Sequence, residues 1–156
     1  MGGNSDVEQK EKFDRVDDSV CAVRSALEEG IVAGGGLALY NIGDYMIDKL
    51  SQLPESFYNE DDVATIILAK AMQEPFYQIL ENAGIEAGTI CEKLEDESDH
   101  YGYDVKRGIF GDMFELGVID PLKVTKNALI NASSVATTIL TTNAIVTHAR
   151  VGNRDE

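Results

Sequence analysis

The chain has 156 residues, and 28 acidic against 13 basic side chains leave it a formal net charge of −15. A surface of that sign repels a phosphate backbone, and no lysine or arginine cluster offers a local exception, so nucleic acid is excluded as an expected partner. With 44% hydrophobic and 26% charged residues, the composition is that of a soluble globular protein with one core.

The opening run Met-Gly-Gly-Asn-Ser-Asp lacks an apolar core, so no signal peptide is expected there. Phe13, Val16, Val20, Val23 and Leu27 recur at alternating three- and four-residue steps, which predicts one helix from Val7 to Glu29. Ser5 or Asp6 can cap its start, and Gly30 ends it. Its first two turns are polar, so that end is expected to project from the body as a connector.

Ala33-Gly34-Gly35-Gly36 opens a second helix from Leu37 to Leu50, with Leu39, Ile42, Met46 and Leu50 inward and no strand before the glycines. A loop with Pro54 covers residues 51–60. Asp61 or Asp62 then caps a helix to Glu74, and Pro75, which suits a first turn, starts another that carries Phe76, Ile79 and Leu80 to Gly84. A short helix from Glu86 to Leu94 ends in the acidic loop Glu95–Asp99.

Aromatics, glycines and β-branched residues from Tyr101 to Phe110 predict a hairpin. A helical turn over Asp112–Leu116 follows, then Gly117-Val118-Ile119-Asp120-Pro121. The last helix is expected from Lys123 to Thr142, with Leu129, Ala132, Val135, Ala136 and Ile139 on the core. Ala144–Thr147 reads as a terminal strand without a local partner, and 151–156 as a disordered tail. The predicted fold class is mainly α: a helical bundle with one small hairpin and a C-terminal strand.

Asn127–Thr147 is uncharged and long enough to span a bilayer, yet its asparagines, serines and threonines make it too polar, so no membrane partner is expected. Cys21 and Cys91 lack CxxC partners and sit among apolar neighbours, which predicts two buried free thiols, a reducing compartment and a cytoplasmic location. His100 and His148 are isolated, and no spacing suits zinc, so no metal ligand is expected.

Three constellations could carry chemistry. Gly34-Gly35-Gly36 could bare backbone N–H groups to a ligand, or could simply join two helices. Asp17-Asp18 could position a water or a metal-bound phosphate, or be solvated charge on an exposed helix. Asp120 before Pro121 could cap the last helix or accept from ribose hydroxyls.

Taken in order, the segments Val7–Lys12, Arg15–Asp18, Glu28–Gly36, Tyr101–Tyr103 and Gly117–Thr125 resemble the C-terminal part of the group I chaperonins, from about residue 3 to 148. The resemblance implies an intermediate-domain segment over residues 1–28 and the C-terminal half of an equatorial, ATP-binding domain over 29–150. It gives Asp18 the place of the catalytic aspartate that aligns the attacking water. Gly34 and Gly35 match the glycines beneath the adenosine, Val118 an aliphatic residue on adenine, and Asp120 the ribose-binding aspartate. Asp104 stands where the family often has asparagine beside the base, with Val105 next to it.

ATP and Mg2+ are the implied cofactors, the magnesium ligand belonging to the family's N-terminal part. The implied partners are other subunits of a homo-oligomeric ring, a co-chaperonin lid and unfolded polypeptide clients held by an apical domain. Met1 leading into mid-family sequence suggests an engineered fragment, not expected to hydrolyse ATP alone. The rival reading is a free-standing acidic helical interaction module without nucleotide chemistry.

Overall fold

The structure is a computed structural model that describes residues 5–54, 58–95 and 97–147. The expected tail over 151–156 lies outside the described residues, as does His148. Helix α1 runs Asp6–Glu29, capped by the Ser5 hydroxyl, which accepts from the Glu8 N–H, and stopped at Gly30 with φ +89°. Strand β1 (Ile31–Ala33) and the glycine turn lead into α2 (Leu37–Ser51). Next come α3 (Glu60–Asn82) and α4 (Ala87–Leu94). The hairpin β2 (Tyr101–Asp104) and β3 (Ile109–Asp112) is followed by α5 (Met113–Leu116), β4 (Ile119–Pro121) and α6 (Leu122–Leu140). The fold is mainly α, as expected.

The core is built from β1, α2, α3, α4 and α5: Ala33, Leu37, Phe76, Leu80, Ile90 and Met113 are buried together, with Tyr103 and Phe110 of the hairpin packed against them. Two expectations about its helices are corrected. Pro75 does not start a new helix, because α3 passes through it. Ala69, Met72, Gln73, Phe76 and Leu80 form one buried stripe on both sides of Pro75, while the ring itself faces solvent. Packing along that stripe outweighs the single backbone bond that proline removes. In α2, the inward side belongs to Leu37 and Gly43; Ile42 is exposed, and Leu39, Met46 and Leu50 are half-buried.

Gly43 lets the two helices touch backbone to backbone, since a Cβ there would stand 2.6 Å from the Ala69 carbonyl oxygen. At the start of α2, Gly36 (φ +80°) does the same against the Phe76 amide. These contacts seat the glycine turn directly on α3.

A second sheet was not foreseen. β1 pairs antiparallel with β4, Val32 opposite Asp120 and Ala33 opposite Ile119, so a strand does precede the glycines. Its partner lies far along the chain, which is why no local pattern marks it. Conversely, Ala144–Thr147 forms no strand and pairs with neither sheet among the described residues.

The α1 and α6 stripes meet no core. Neither helix has a buried residue, and Phe13 is 62% and Val135 59% exposed. Leu129 is half-buried, whereas Ala132, Val135, Ala136 and Ile139 face solvent. The end of α1 joins the start of α6 through the ion pairs Glu28–Lys123 and Glu29–Lys126. Hydrogen bonding to Lys123 holds the Glu28 carboxyl below its ordinary range, and the Lys123 ammonium is raised in return. Cys21, on this uncovered helix, is exposed rather than buried; Cys91 is half-buried beside Tyr40 and Tyr77. No helix of the described residues is long and apolar enough to cross a membrane.

Candidate nucleoside site

A cleft of about 530 Å³ opens between α3, the β2–β3 turn and the α5–β4 junction. That volume is within the usual range for small-molecule sites. Phe76, Ile79 and Leu80 of α3 form one wall, Val105 with Lys106 and Arg107 the rim, and Leu116 to Val118 the other wall, with Gly35 at its edge. Four predicted residues, Gly35, Asp104, Val105 and Val118, therefore line one space.

Local chemistry explains each placement. Gly35 (φ +66°) and Gly36 adopt the left-handed backbone that reverses the chain between β1 and α2. The Gly34 N–H donates to the Val118 carbonyl at 2.9 Å, fastening the turn to β4. Asp112 caps α5 by accepting from Phe114 and Glu115, and Gly117 (φ +73°) ends it, which presents Val118 to the cleft.

Asp120 sits in β4 rather than capping α6, whose N-cap is Pro121. Burial raises its carboxyl above the usual aspartate range, and the Gly35 N–H offsets part of that shift by donating to it. Of the amides in the glycine turn, that of Gly34 is spent on the Val118 carbonyl.

Asp18 stays apart from the cleft. It is exposed on α1, one turn before Ala22 and two before Ala26, which line a crevice of about 140 Å³ with Asp120. The aspartate therefore belongs to the face of α1 that looks toward β4. Among the described residues, no group of three or more His, Cys, Asp or Glu could hold a metal ion.

Sequence reasoning missed the α3 wall and Arg107. Phe76 and Ile79 read as ordinary core positions, because helical periodicity cannot tell a core face from a pocket wall. Arg107 had a visible signal in the run Asp104-Val105-Lys106-Arg107-Gly108, where an aspartate heads a turn that closes at a left-handed glycine.

The molecule is a mainly helical domain with a cleft bordered by a glycine turn, a helix and a hairpin. A profile of the TCP-1/cpn60 chaperonin family matches residues 1–150, so the chain belongs to that family. Among solved structures, it is similar to a group III chaperonin crystallised in the open state, with 26% identity and a TM-score of 0.79. That match covers 94% of this chain and 30% of the other, so the chain spans less than a third of its relative.

Proposed function

We propose that this chain forms the adenosine-side half of the ATP site of a chaperonin subunit of the group I type. The supporting observation is that Gly35, Asp104, Val105 and Val118 line one cleft, with Asp120 bonded to the glycine turn beside it. On this reading residues 1–28 are the intermediate-domain segment and 29–150 the C-terminal half of the equatorial domain. A protein-folding role follows from the family.

The lining suits a nucleoside. Apolar faces from Phe76, Ile79 and Val118 would hold the flat base. Asp120, which lines the neighbouring crevice and not this cleft, would accept from ribose hydroxyls. The Gly34 amide is already bonded to the Val118 carbonyl and is not free to hold a phosphate. The phosphate and Mg2+ contacts are therefore assigned to the part of a full-length subunit that this chain does not span. ATP, when bound, supplies the phosphoanhydride whose hydrolysis would drive encapsulation of unfolded polypeptide under a co-chaperonin lid in a ring of subunits.

Asp18 would position the attacking water once α1 moves toward the cleft about Gly30, where the helix ends and the chain turns. A free-standing acidic module fits this chain less well, since its motifs follow chaperonin order throughout the family match.

Two variants of a full-length subunit carrying this sequence separate the roles. Asp18→Ala should keep ATP binding and lose turnover by about 10²–10⁴-fold. Asp120→Asn should weaken ATP binding by about ten- to a hundredfold, the value of a hydrogen bond to a charged group. Unchanged turnover in the first, or unchanged affinity in the second, would remove that residue from its role.

A further inference from the structure

A net charge of −15 opposes any anionic ligand, so a nucleotide approaching this chain meets repulsion from the chain as a whole. Two cavities of nearly equal size shape that field differently. The groove of about 540 Å³ between α2 and α4 is lined by six carboxylates, Asp44, Asp48 and Glu92 among them, and by no cation. The nucleoside cleft, at about 530 Å³, is lined instead by two cations, Lys106 and Arg107, and by one carboxylate, Asp104.

That carboxylate offsets Arg107. Asp104 Oδ2 faces the Arg107 guanidinium, with Nε at 3.5 Å, and Arg107 Nη1 also donates to the Leu116 carbonyl at 3.0 Å. Oδ1 of Asp104 accepts from the Lys106 N–H at 2.9 Å, and the Gly108 N–H donates to the Asp104 carbonyl at 2.8 Å. These bonds fix the backbone of the β2–β3 turn and leave the Lys106 side chain exposed at its tip. Among the described residues the Lys106 ammonium has no ion-pair partner. One uncompensated positive charge therefore stands at the cleft mouth of an acidic chain.

Resting on the nucleotide reading above, we propose that Lys106 is a steering residue, which draws the phosphates of an incoming nucleotide toward the cleft mouth without holding the bound base. An exposed ammonium on a flexible stem is strongly hydrated and acts through its field more than through a fixed contact. Charges on the rim of a site act mainly on the association rate and its salt dependence, and little on dissociation.

The test uses a full-length subunit carrying this sequence, with 2-aminopurine riboside and its triphosphate, whose base fluorescence reports entry into the cleft and whose ribose is unmodified. At an ionic strength of about 0.02 M, Lys106→Gln should slow association of the triphosphate about three- to tenfold and leave its dissociation rate unchanged. At about 0.5 M the two rates should converge, because screening then acts within a few ångströms. The uncharged riboside should associate equally with both proteins, and Lys106→Arg, which keeps the charge, should restore the triphosphate rate. Equal triphosphate rates at low salt, or an Arg variant as slow as the Gln variant, would overturn the proposal and leave the nucleotide site standing. Faster dissociation, or an equal loss with the riboside, would make Lys106 a contact residue and overturn steering. No fluorescence change with either probe would remove both the proposal and the reading beneath it.

Discussion

Asp120 is the residue whose chemistry and packing pull in opposite directions. Its carboxyl is half-buried in β4, and lost hydration raises its pKa, the Gly35 N–H recovering part of the charged form. The folded chain therefore keeps this proton at pH values where the unfolded chain has released it. Stability contributed by Asp120 is present at low pH and falls as pH rises through and above the usual aspartate range. The ionised carboxylate is the stronger acceptor for a ribose hydroxyl, so nucleotide binding should strengthen over the same rise. Melting curves of Asp120→Asn should lose this part of the pH dependence as pH rises through and above the usual aspartate range. An unchanged slope would mean that the group is not desolvated as described. At this scale the sequence was informative, because Gly35, Val118 and Asp120 belong to long motifs read in order. Arg107 escaped because its role depends on the Leu116 carbonyl, which only folding brings to it.

Helices were legible wherever periodicity and a cap agree. The Ser5 cap, the Gly30 stop and the hairpin strands fall where the residues predict them. The misreadings share a cause in long-range contact. β1 exists through β4, and α3 continues through Pro75 because its buried stripe packs against α2. The seat of the glycine turn depends on the same α2–α3 contact, in which Gly43 lies against the Ala69 carbonyl. Gly43→Leu should force the helices apart and destabilise the fold by about 1–3 kcal/mol, the usual range for overpacking. Chemical denaturation checks this, and a midpoint equal to that of the unsubstituted chain would show that the two helices do not touch there.

At the scale of the whole molecule, the apolar stripes of α1 and α6 face solvent along most of their lengths. Leu27 is 83% exposed and Leu140 84%, an arrangement that favours association despite a net charge of −15. Light scattering should find dimers or larger species that dissociate on dilution, whereas a monomer at every concentration would contradict this. Periodicity marked these stripes as apolar, but it could not say that the rest of the described chain leaves them uncovered.

The central claim, that this chain holds the nucleoside half of a divided ATP site, is tested most directly by calorimetry with MgATP on the chain and on a full-length subunit carrying it. The account predicts tight binding by the full-length subunit and none within calorimetric reach by the chain alone. Tight, magnesium-dependent binding by the chain alone would place a complete phosphate site within these 156 residues and contradict the division.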